Sequence, residues 1–455
     1  MTRSNLALLV AISISLFCAL PRNAAALPGA PTVQWTRQFG PGYENSAAVA
    51  SGLLGGVFVA GQTDGNFSGG PSTQSTAYLR KYDSAGTPIW TQQVGPLDVS
   101  AYVVAVAADG LGNSYIAGET AGSIAAPNAG LSDYFLRKYD SAGAVVWTRQ
   151  DGSLGYDSPQ DAAVDSLGNL YLTGYTTYEL AGPGSSLGSY DAFLIKYDAL
   201  GNKLWTRQFG SSGTDLARGI ALDGLGNVYV GGSTDGNLAA PYGGGSGDAF
   251  LAKYDQNGNP IWKRQVNAPS RDEARDVAAD ALGNVYLVGF TDGSPGAPNA
   301  GGEDVVVYRY DAAGNPVWTR QIGTSSQDIA FGATTDGTGS VYISGLTAGN
   351  LAATNTGSHD AFALKYRANG TLDWTYQVGT SSHEGDGKIA ADGFGNVYLS
   401  GFTQGNLASP LVGGEDAFVV KLYDTTLVPE PTTVAQLCLL ALSAFCRPRR
   451  RRHAN

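Results

Sequence analysis

Seven tryptophans divide this chain into nearly equal parts. They stand at Trp35, Trp90, Trp147, Trp205, Trp262, Trp318 and Trp374, spaced 55, 57, 58, 57, 56 and 56 residues apart, and no tryptophan falls outside the series. Each is followed three residues later by glutamine, from Gln38 to Gln377. A supersecondary unit repeated at a fixed period buries its apolar face against its neighbours, so the period determines the architecture before any single residue does.

One repeat shows what the unit is. Residues 216–223 read as a small-residue strand, and Asp223-Gly224-Leu225-Gly226-Asn227 as a tight turn in which Asp caps backbone amides and Gly takes positive φ. Residues 228–234 alternate as a second strand. A Gly-rich loop, a third strand over 248–255, another Asp-x-x-Gly turn and a fourth strand over 260–266 holding Trp262 complete the unit. Period-two alternation with turns at this spacing gives a four-stranded antiparallel meander. The first strand carries Ala50, Ala107, Ala163, Ala221, Ala278 and Ala390 at one equivalent position, and only small side chains suit the crowded centre of a ring of blades. The Trp strand suits the periphery, where diverging blades leave room.

Counting strands predicts closure. There are seven Trp strands and seven third strands, the latter ending at Tyr82, Tyr139, Tyr197, Tyr254, Tyr310, Tyr366 and Tyr423. The chain opens on a Trp strand and closes on a third strand, so the N-terminal strand must pair outside residues 416–424 and finish the seventh blade. The expected fold class is all-β: a single seven-bladed β-propeller over residues 31–424. Its units, of the type Asp-Ala-Phe-Leu-Ile-Lys-Tyr-Asp-x-x-Gly-Asn-x-x-Trp followed by Ala-Leu-Asp-x-x-Gly-Asn-Val-Tyr-Val, resemble the SBBP β-propeller repeat of secreted bacterial proteins. That resemblance implies the fold and carries no general catalytic or ligand assignment.

The two ends read as processing segments. Residues 1–26 combine Arg3, an apolar run from Leu6 to Leu20, and Ala24-x-Ala26, the pattern of a secretory signal peptide. Residues 425–455 hold Pro429-Glu430-Pro431, a short apolar stretch over 433–446, and arginines at 447 and 449–452. This order resembles the PEP-CTERM sorting signal, which implies transient membrane anchoring and cleavage by a protease of the exosortase type. A plain tail anchor is the alternative. All three cysteines, Cys18, Cys438 and Cys446, lie in these segments, which would leave a mature body without disulfides or thiol chemistry. With the end segments set aside, 21 basic residues face 38 acidic ones, or 39 if Glu430 is kept, a balance that repels nucleic acid.

Candidate sites are few. Glu44, Asp157, Asp215, Asp272, Asp328 and Glu384 share one position before the innermost strand, with Asp98 three residues out of register. They could form a ring of carboxylates that collects Ca²⁺, or each could accept backbone amides in its own loop. Asp161, Asp276 and Lys388 stand where other blades hold Ala or Gly, and could line a ligand site in the channel or a solvated mouth. Asp151, where other blades hold Phe39 or Phe209, is either a loop adjustment or a site residue. His359 and His383 have no Ser or Cys companion motif, and His-Glu-x-x-His, Gly-x-Ser-x-Gly and phosphate-loop patterns are missing. The expected function is an exported, non-enzymatic scaffold or binding module at the cell surface or in the extracellular matrix, without a catalytic cofactor, with an exopolysaccharide or surface protein as partner. The alternative is a secreted glycan hydrolase or lyase acting through carboxylates at a channel mouth.

Overall fold

The computed structural model describes residues 30–52, 56–67, 75–94 and 100–427. Asp98, the sorting motif Pro429, Glu430 and Pro431, and the signal-peptide segment lie outside them. The described residues form 28 strands, numbered in chain order from β1 (Thr32–Phe39) to β28 (Asp416–Tyr423), in seven four-stranded antiparallel sheets. One blade comprises β14 (Asp215–Leu222), β15 (Val228–Thr234), β16 (Asp248–Tyr254) and β17 (Pro260–Gln265), in that spatial order. The Ala-rich first strand is innermost and the Trp strand outermost, as residue size requires.

The last blade has the order β1, β28, β27 (Asn396–Thr403), β26 (Glu384–Ala391). β1 pairs antiparallel with β28, from Thr32 opposite Tyr423 to Phe39 opposite Ala417. The N-terminal strand therefore finishes blade 7, as the strand count demands.

The described turns that join first to second and third to fourth strands lie on one face of the ring, the turn face, and the long loops on the other, the loop face. In the first turn, Asp223 Oδ1 accepts the N–H groups of Leu225 and Asn227, and Gly226 has φ +85°. Side chains from six of the seven blades then grip the second turn of the next. Trp35 Nε1 donates to Ser84 O at 3.1 Å, and Arg37 donates to the Gly86 and Ala85 carbonyls while its guanidinium lies over the Trp35 ring. Trp147 and Arg149 repeat this grip on residues 199–201. The third-strand cation joins in, with Lys138 Nζ bonded to Ala199 O and Lys253 Nζ to Ala312 O. Five of the seven tryptophans are only partly buried, because they lie against the next blade's turn instead of inside their own sheet. The recurrent glutamine plays a separate part. Gln208 donates to Tyr178 O and Asp191, and accepts from Leu180 N, fastening the loop between second and third strands.

Candidate functional site at the channel mouth

The carboxylates expected to ring a channel mouth are not brought together. The six described ones are fully buried, each bonded within its own blade. Asp157 accepts from Ser153 and, at 2.6 Å, from Thr176 Oγ1. Asp215 is held by Ser211, Asp328 by Thr324, and Glu384 by Thr380 and Thr403. Burial, partly offset by these bonds, raises Asp157, Asp272 and Asp328, and pushes Glu44 up to about 7. Among the described residues no group of three or more His, Cys, Asp or Glu is placed to hold a metal ion. In these six blades the position is a loop cap.

The channel trio is brought together. Asp161, Asp276 and Lys388 line one cavity of about 250 Å³ on the ring axis, walled otherwise by small and aliphatic residues such as Ala50, Ala107 and Val277. Asp161 accepts from Ala162 N and, across the blade boundary, from Ile220 N at 2.9 Å. Asp276 does the same with Val277 N and Ala333 N. Lys388 Nζ reaches back to Phe331 O at 2.7 Å. The blades that receive these side chains carry Gly219 and Gly332, where a Cβ would collide with Asp276 or crowd Lys388. Charged residue and glycine thus alternate from blade 3 to blade 7. Burial first, and then Asp276, push the Asp161 carboxyl up to about 7.

Above the trio, on the loop face, opens a second cavity of about 290 Å³ that shares Lys388 and Val104 with the first. Its lining has one structural origin. Every innermost strand is interrupted by a β-bulge, seen as register shifts at 46/48, 103/105, 159/161, 217/219, 274/276, 330/332 and 385/388. The extra residues in six blades are Ala47, Val104, Gln160, Arg218, Arg275 and Phe331, and all six line the mouth. The bulge also drives the first strand's carbonyl over the second strand, so that a Cβ at Gly232 would strike Leu216 O. Blades 3 to 5 give the mouth an amide and two guanidinium groups, whereas blades 1, 2 and 6 give it Ala, Val and Phe. Arg218 Nη1 donates to Gln160 Oε1 at 2.9 Å, and its guanidinium lies 5.6 Å from the Tyr175 ring centre. Arg275 is engaged by Glu273 at 3.0 Å. Asn45 and Gln62 complete the polar lining.

Two other candidate positions find local partners. Asp151 pairs with Lys203. His383, without a companion motif in the sequence, has Ser358 Oγ 3.2 Å from its Nδ1, with the His359 ring edge-on at 4.9 Å. Burial and His383 hold His359 below its ordinary value.

Comparison with known proteins bears on the repeat. The family model described as SBBP, a beta-propeller repeat, matches residues 89–124, 146–178, 204–239 and 261–297. The chain carries SBBP β-propeller repeats. Outside the matched blades the same grips recur, as at Trp318 and Arg320 on residues 368–370. The chain is 26% identical over 343 residues to the regulatory protein FlaEY of Caulobacter vibrioides, over 65% of this chain and 35% of that protein. It is 22% identical over 237 residues to the uncharacterized WD repeat-containing protein L264 of Acanthamoeba polyphaga mimivirus, over 41% of this chain and 17% of that protein. The chain therefore spans about a third and about a sixth of these two relatives. Among solved structures, YCF48 bound to a D1 peptide matches with a TM-score of 0.46 at 12% identity, over 89% of this chain and all of that one.

Proposed function

We propose that this propeller is a non-enzymatic binding module, exported and displayed at the cell surface or in the extracellular matrix, with the bulge-lined mouth as its binding site. One observation carries the reading: at the bulge position that lines the mouth in six blades, the blades stop resembling one another. A residue that serves the blade recurs, as the loop-cap carboxylates and the glutamines do. Gln160, Arg218, Arg275 and Phe331 serve something the blades share. Similarity to regulatory and WD-repeat proteins supports a binding role. Asp161 and Asp276, the carboxylates that a glycan hydrolase would use, each have their oxygens on two backbone amides, an arrangement that favours bracing over proton transfer.

Purified protein screened against polysaccharides and surface proteins tests this. Binding without turnover, weakened by Phe331→Ala, supports it, and turnover abolished by Asp161→Asn or Asp276→Asn overturns it. Export and processing rest on the end segments, and mass spectrometry of the mature C-terminus checks them. Cleavage near Pro429-Glu430-Pro431 is the expected result, and recovery of residues 449–452 in secreted protein would refute it.

A further inference from the structure

The mouth has a chemistry that narrows its ligand. Two of its cations, Arg218 and Lys388, have no carboxylate within 4.0 Å among the described side chains, which do not include that of Asp386, in a chain with 39 acidic side chains against 28 basic ones. Two polar atoms at the same lining, Arg218 Nε and Gln62 Oε1, are sealed from water and have no hydrogen-bond partner among the described residues. One is a donor and the other an acceptor. Leaving such groups unsatisfied costs about 1–3 kcal/mol each, so a ligand that draws both side chains a short way into the cavity recovers that cost. It must supply an acceptor for the guanidinium and a donor for the amide.

The rest of the lining sets the ligand's shape. Cationic and amide groups from blades 1, 3, 4, 5 and 7 are interleaved round the mouth with the apolar Ala47, Val104 and Phe331 of blades 1, 2 and 6. A pyranose ring offers partners for both kinds of group, with C–H groups on its faces and hydroxyls at its edge. A cavity of about 290 Å³ lies at the small end of ligand pockets, which suits one sugar unit of a chain that continues into solvent.

Resting on the binding-module reading, we infer that the mouth binds a hexuronate unit of an acidic polysaccharide, its carboxylate toward Arg218 and Lys388, its hydroxyls toward Gln62, Gln160 and Asn45, and a ring face toward Phe331. Guanidinium suits this role, since its fork matches a carboxylate bidentately.

Calorimetric titration of the purified protein with tri-galacturonate and with maltotriose, a neutral trimer of similar size, tests the assignment. Tri-galacturonate is expected to bind at least tenfold more tightly, to weaken as salt rises, and to weaken at least tenfold in Arg218→Gln and in Lys388→Met. Each variant is compared only where its unfolding temperature matches the parent's, and Arg218→Lys, which keeps charge but loses the fork, should fall between. Equal affinity for the two trimers, or uronate binding indifferent to both substitutions, overturns the uronate assignment and leaves the binding module standing. Depolymerisation of the uronate chain overturns the binding-module reading itself.

Discussion

Lys365 shows how one residue fills a gap that the repeat leaves open. In other blades the equivalent cation bonds to a carbonyl of the next blade's second turn, but the described chain of blade 7 ends in a 3-10 segment, Thr425–Leu427, where that turn would be. Trp374 is accordingly left with a buried indole N–H and no partner among the described residues, while its counterpart Trp318 bonds to Ala368 O. Lys365 instead pairs with Asp424 at 2.6 Å and bonds to Thr426, with Asp373 and Asp336 at 3.6 and 3.9 Å. Burial works against the Asp424 carboxylate, yet the bonds from Lys365, Thr426 and Tyr342 outweigh it and hold its pKa below the usual range. Lys365→Met would leave these carboxylates buried without their cation, and should lower stability by about 3–5 kcal/mol in urea denaturation. Lys203→Met, at the exposed pair with Asp151, should change it by less than about 1 kcal/mol.

Protons act at this scale too. Glu44 and Asp161, both raised to about 7, keep a proton in the folded protein at pH values where the unfolded chain has lost it. Folded protein then binds more protons than unfolded between about pH 4 and pH 7, so stability falls as pH rises through that window and stays low above it. Asp424 has the opposite sign, contributing stability that disappears as pH falls through its lowered value. The urea midpoint should therefore be higher near pH 5 than at pH 8. Asp161→Asn should narrow that difference, with a gain at pH 8 of about 1–3 kcal/mol. A flat midpoint across the range would show that burial does not hold these groups protonated.

At the scale of strands, the sequence showed the blades plainly and hid the mouth for a specific reason. Alternation, turn chemistry and side-chain size place every strand and the radial order, because those signals repeat seven times. The bulge is a one-residue insertion within a run of small residues, and a period-two reading passes over it while assigning the next residue correctly. Arg218 and Gly219 are neighbours in sequence, yet the first looks into the mouth and the second lies under Asp276. The readable signal was the aligned column one residue before that of Asp161, Asp276 and Lys388, where Gln160, Arg218, Arg275 and Phe331 stand among Ala47, Val104 and Gly387. Aligned loop-cap carboxylates suggested a ring for the converse reason: repetition marks a shared position, and each lies inside its own blade. The β1 strand tests the element directly. Deleting residues 31–40 removes Trp35, the Arg37 grip on blade 1, and the ladder along β28. Loss of a packed Trp alone costs about 3–5 kcal/mol, and the bare edge invites pairing between molecules. Circular dichroism should show a lower unfolding temperature and light scattering a larger species, whereas removing residues 432–455 should leave the folded body unchanged.

For the whole molecule, the grips all run in one direction, six blades each holding the turn of the next, while at the seventh interval, from blade 6 to blade 7, Lys365 and Asp424 stand in. What joins the end to the beginning is a pair of strands whose outer ends, Thr32 and Tyr423, lie opposite each other. Tension applied between those two residues pulls on one hydrogen-bonded rung at a time, as in opening a zip, instead of shearing the whole ladder at once. The propeller should consequently be compliant when loaded through its chain ends and stiff when pressed on either face. In a force-extension experiment the first event should occur at low force and release roughly 25–30 Å, the length of the eight residues of β1, before any blade unravels. A protein held at one end and pulled from the other would then have a mechanical fuse at its seam.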